Sequence, residues 1–92
     1  MTDTSTLDDT KVINITHRPY NTILFNDKSH SMDEVAEQIM KAIHCDVGKA
    51  HQIMLEAHNT GRAIVITDHK ERCELVAAIL EEIRLGVKVE PV

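Results

Sequence analysis

Apolar residues recur along this chain in two periods. Met32, Val35, Ala36, Ile39, Met40 and Ile43 fall three and four apart, one continuous stripe of an amphipathic helix. Ser31 and Glu34 stand at capping-box spacing before it, and His44-Cys45 closes it. A second helix is predicted from Asp46, a suitable N-cap. Val47, Ala50, Met54 and Ala57 share one of its faces with Ile53 beside them, and Gly61 suits the position just past its end. Asp68 and Glu71 repeat the capping-box spacing and open a third helix, with Leu75, Val76, Ile79, Leu80 and Ile83 as its apolar face. Between the helices lie strand-like runs: Tyr20 to Phe25, the β-branched Arg62 to Thr67, and the alternating Gly86 to Glu90. The order β-α-α-β-α-β predicts an α+β domain, a three-stranded sheet with three helices packed on one face.

Residues 1–17 break this pattern. Thr, Ser and Asp dominate their first part, with too few apolar side chains to offset the cost of ordering the backbone. They are expected to form a flexible N-terminal tail, in which Val12-Ile13-Asn14-Ile15 is a short apolar patch. Residues 18–92 are expected to form one domain, entered through Arg18-Pro19. One Tyr, one Phe and no Trp leave the core to aliphatic residues and methionine. A formal net charge of −5 disfavours non-specific nucleic-acid binding, and no run approaches the roughly 18–20 apolar residues of a membrane span. Two cysteines in different predicted elements and a start without a secretory signal point to a reducing, cytoplasmic compartment.

Candidate chemistry gathers at two places. Asn26-Asp27 ends the first strand, and His58 lies near the end of the second helix, one turn after Met54. An ammonium group carries donors and no acceptor. An amide carbonyl, a carboxylate and a neutral imidazole are acceptors that can surround it, with apolar residues beside them to hold its substituent. The first residue of a free polypeptide has that composition. Each residue also has a plainer reading. Asn-Asp after a strand is ordinary turn chemistry, a helical histidine can be a satisfied boundary residue, and Met32 and Met54 can be core. Metal binding is not expected: there is no CxxC or HExxH, and His51 and His58 lie about 10 Å apart along a helix axis. No nucleophile motif or phosphate-binding glycine loop is present, so neither an enzyme nor a cofactor is expected.

The motif ILFND at the strand end, Met32 opening the first helix, and Gln52 to His58 leading to Gly61-Arg62-Ala63 together resemble ClpS, the adaptor of the Clp AAA+ protease that recognises N-degrons. The resemblance covers Tyr20 to Ala63 without a gap. It implies that Asn26, Asp27 and His58 hold the substrate α-amino group, and that Met32, Met54, Ala57, Val35, Leu85 and His30 line or gate a pocket for a bulky side chain. Met32 corresponds to the gate that rejects β-branched residues. It further implies a monomer in the bacterial cytosol that docks on the N-domain of a ClpA- or ClpC-like unfoldase and hands over substrates beginning with Leu, Phe, Tyr or Trp. A module that binds the unfoldase without reading N-degrons is the alternative. The chain departs from the family pattern at several places. Lys28 replaces an acidic residue, Ser29-His30-Ser31 replaces Tyr-Thr-Pro, and Ala57 stands where valine is common. Ile64-Val65-Ile66 and Cys73-Glu74-Leu75-Val76 replace the usual strand and third-helix motifs, and the chain is short after that helix.

Overall fold

The computed structural model describes residues 18–92; the expected tail at residues 1–17, with its apolar patch, lies outside them. The elements are β1 (Pro19–Phe25), α1 (Met32–Ile43), α2 (Val47–Thr60), β2 (Arg62–His69), α3 (Lys70–Glu81) and β3 (Val87–Pro91), the α+β order read from the sequence. The first strand is central: the sheet runs β2-β1-β3, antiparallel throughout. Leu24 stands opposite Ala63 on one side and Val87 on the other, and these three pack into the core with the helices. Ile64, one position along β2, points away and is exposed.

Each helix start follows from local chemistry. Ser31 and Glu34 form the reciprocal capping box at α1, at 3.1 and 2.9 Å, and Asp46 accepts from the Lys49 backbone N–H at 2.8 Å to cap α2. The third helix departs from the sequence expectation. Its cap is His69, whose Nδ1 accepts from the Arg72 N–H at 3.3 Å, while Asp68 stays in β2 opposite Tyr20. The strand therefore continues two residues beyond Thr67, because pairing with Tyr20 and Pro19 satisfies the backbone of Asp68 and His69. Asp68 instead accepts from its neighbour His69 N–H at 2.7 Å.

The apolar faces are also rotated in detail. Val35, Ala36, Ile39 and Ala42 make the buried stripe of α1, while Met32 at its first turn is 47% exposed. Val47 at the start of α2 and Leu75 on α3 are exposed rather than buried. The inner face of α3 is Cys73, Val76, Ala77 and Leu80. Two buried polar residues fasten the layers. Thr22, fully buried beside a register irregularity in β1, donates its hydroxyl to the Cys73 carbonyl at 2.8 Å. Gln38 donates to the Ile79 carbonyl near the end of α3 at 2.6 Å. Both cysteines are free thiols, Cys73 buried and Cys45 half-buried.

Candidate functional site

The end of β1 and the end of α2 are held together by backbone. Gly61 takes a left-handed conformation, φ 95°, and its N–H closes the helix onto the Ala57 carbonyl at 2.9 Å. The Gly61 carbonyl is then free to accept from the Asn26 N–H at 3.0 Å. One glycine thus terminates the helix that carries His58 and anchors the residue that follows the strand.

A small hollow opens at this junction. It is lined by Asn26, Asp27, His30, Met32 and Val35 from the β1 end and α1, and by Met54, Ala57 and His58 from α2, with Leu24 and Phe25 behind. Asn26 and His58 are exposed and Asp27 half-buried, so their polar groups lie at the rim. Met54 and Ala57 are almost fully buried and form the apolar floor with Val35. The hollow is small, about 30 Å³, room for roughly one or two waters. It is too tight for a leucyl side chain as it stands, and of its apolar lining residues Met32 is the exposed one.

The electrostatics of the rim centre on Asp27. Its Oδ2 accepts from the His30 N–H at 2.9 Å and pairs with His30 Nδ1 at 2.5 Å, while Oδ1 accepts from the Ser29 hydroxyl at 2.9 Å. Partial burial works to raise the carboxyl's pKa. The hydrogen bonds from His30 and Ser29, with the charge of His30, outweigh it and hold Asp27 below its ordinary value. The rim therefore presents a negative charge fixed in place, next to an amide and two imidazoles.

Of the residues expected at the site, Asn26, Asp27, His58, Met32, Met54, Ala57, Val35 and His30 line this one hollow. Leu85 does not: it is buried in the core, following the turn after α3. Leu24 and Phe25 were not anticipated as lining. Their position directly before Asn26 was the available signal. Among the described residues no group of three or more His, Cys, Asp or Glu could hold a metal ion, and no helix is long and apolar enough to cross a membrane.

Residues 16–86 match the family described as ATP-dependent Clp protease adaptor protein ClpS. The chain belongs to the ClpS family. It is thereby an adaptor of the Clp protease system and not a catalyst. Bacterial relatives with that name include ClpS of Gloeobacter violaceus, 40% identical over 73 residues that cover 78% of each chain. ClpS of Campylobacter jejuni is 36% identical over 98% of both chains. The E3 ubiquitin-protein ligase UBR1 of Drosophila melanogaster is 34% identical over 62 residues, which are 67% of this chain and 3% of that ligase. In fold the chain is similar to the solved structure of Agrobacterium tumefaciens ClpS2 bound to L-phenylalaninamide. The TM-score is 0.77 at 20% identity, covering 82% of this chain and 98% of that one. The ClpS-like architecture is thus shared even where few residues are.

Proposed function

We propose that this ClpS-family chain captures proteins by a free, bulky apolar first residue and delivers them to a ClpA- or ClpC-like unfoldase in the bacterial cytoplasm. The observation that carries this reading is the convergence of Asn26, Asp27 and His58 on the rim of a hollow whose floor is Met54, Ala57 and Val35. The substrate ammonium sits among the three acceptors. Its side chain enters the floor once Met32 moves. ClpS2, similar in fold, was solved with L-phenylalaninamide, an amino-acid amide with a free amine and a bulky aromatic side chain. That ligand has the two features that this reading assigns to the substrate.

The energetics suit transient capture. Burying a Leu or Phe side chain contributes about 1.5–3 kcal/mol, and each charge-assisted hydrogen bond to the ammonium about the same before offsets. The sum suits micromolar affinity, about −8 kcal/mol, from which a processive machine can still take its substrate. Titration with peptides that begin with Leu, Phe, Tyr or Trp, each free or acetylated at the amine, tests the reading. Free peptides should bind and acetylated ones should not, since acetylation removes the charge and two donors.

A second reading is a docking module that engages the unfoldase without an N-degron. The tightness of the hollow and the engagement of Asp27 by His30 favour it. Equal binding of free and acetylated peptides, or binding of neither, would select this reading. Residues 1–17 are proposed as a tail preceding the 18–92 domain and assisting handover.

A further inference from the structure

We propose that residues 11–16 of this chain lie along the outer edge of β2, in the cleft between that strand and the turn from α1 to α2. This goes beyond amine capture and does not depend on it.

The cleft measures about 610 Å³ and is open to solvent. Cys45, Asp46 and Lys49 stand on one side of it, and the run Ile64-Val65-Ile66-Thr67 on the other. Side chains of a strand alternate between the two faces of its sheet. Four successive residues lining one cleft therefore place it along the strand's edge. That edge is an outer one: the sheet order is β2-β1-β3, and among the described residues β2 pairs with β1 alone. Its far side offers main-chain donors and acceptors beside apolar side chains, the surface onto which an extended segment adds.

The chain itself supplies such a segment. Lys11-Val12-Ile13-Asn14-Ile15-Thr16 holds three β-branched apolar residues and neither glycine nor proline. Its point of attachment suits the cleft. Pro19 stands opposite His69, at the end of β2. From there the outer side of β2 is two strand spacings away, about 9.5 Å, which about three extended residues span. Continuing toward the N-terminus, Ile15 to Val12 then run back beside the stretch from Thr67 to Ile64. Asp8 and Asp9 follow, toward Lys49 in the cleft and Arg62 at the start of β2, so that opposite charges meet. A second copy fits the edge less well. Ile66 and Ile64 pair with the successive residues Thr22 and Ile23, which makes Val65 an extra residue, a bulge in β2. Such a bulge breaks the regular run that two copies would need to pair edge to edge.

Cys45 reports on the cleft, since it lines it and is half-buried, while Cys73 is completely buried. The test is the rate at which an aromatic disulfide reagent labels Cys45 in the folded full chain. Wild type should label about tenfold more slowly than Ile13→Asp, the protection expected of a segment undocked about one-tenth of the time. The difference should persist on dilution, and amide exchange at Ile64 to Thr67 should quicken in the same variant. Equal labelling rates overturn the proposal, because the cleft is then open in the isolated chain. Protection that fades on dilution also overturns it and assigns the edge to a second copy. Val12→Cys gives a positional check that keeps a small apolar side chain. With oxidised glutathione it should form an intramolecular disulfide with Cys45 markedly faster than Thr4→Cys does. Equal rates from the two positions overturn the placement of residues 11–16.

Discussion

At the scale of single residues, the proposed site divides into groups that would read charge and groups that would read shape. Asp27 belongs to the first and also has a structural effect. Its folded pKa lies below the ordinary value, so its hydrogen bonds add stability that is complete above that value and is lost as pH falls through the lowered one. Asp27→Asn should therefore lower the urea midpoint at neutral pH, and the gap from wild type should narrow as pH falls below the ordinary carboxyl value. An equal gap at neutral and at acid pH would mean that the carboxylate's charge does not matter to the fold. Met32 is proposed to read shape. If it is the gate, truncating it to Ala should admit peptides beginning with Val or Ile, because its side chain would no longer crowd a β-branched Cβ; unchanged rejection of both in a binding titration would remove it as the gate. That Asn26, Asp27 and His58 line one hollow was legible in the sequence, because each carries an acceptor group whatever the fold. Leu85 and Thr22 were not legible. A leucine after a helix is equally at home in a pocket or a core, and the Thr22 hydroxyl finds its acceptor in Cys73, fifty-one positions away.

At the scale of elements, Gly61 couples two of them. Its φ of 95° is a backbone region that side-chain-bearing residues rarely adopt, although the space around a Cβ there is open. Gly61→Ala should thus cost about 1–2 kcal/mol of stability through backbone strain alone. It should also weaken peptide binding, because the carbonyl that receives the Asn26 N–H shifts with the helix end. Loss of stability in urea with fully retained affinity would show that the junction holds without this contact. The helix starts at Ser31 and Asp46 were readable because capping is local chemistry. The start of α3 was misplaced because Asp68 faces a contest the sequence does not display. Its capping ability competes with pairing against Tyr20, and the sheet prevails. Leu75 was misassigned for a related reason: α3 packs on both the sheet and α1, and the position of the sheet decides which side of the helix is inward.

At the scale of the whole molecule, few large residues sustain the core. Ile39, Val76 and Leu80 are completely buried, and alanines at positions 36, 42, 50, 57, 63 and 77 let the elements approach closely. A cavity at Leu80 cannot be refilled by such small neighbours, so Leu80→Ala should cost about 2–5 kcal/mol in chemical denaturation. A loss below about 1 kcal/mol would mean that α3 collapses onto the gap.

The placement of Asn26 has a mechanical consequence. It directly follows the middle strand, which is zipped to a neighbour along each flank. In the proposed capture, a load drawn by an unfolding motor on a bound polypeptide would enter the adaptor beside the strand that is paired on both flanks. The grip on the cargo should slip long before that seam tears, leaving the carrier intact for another round.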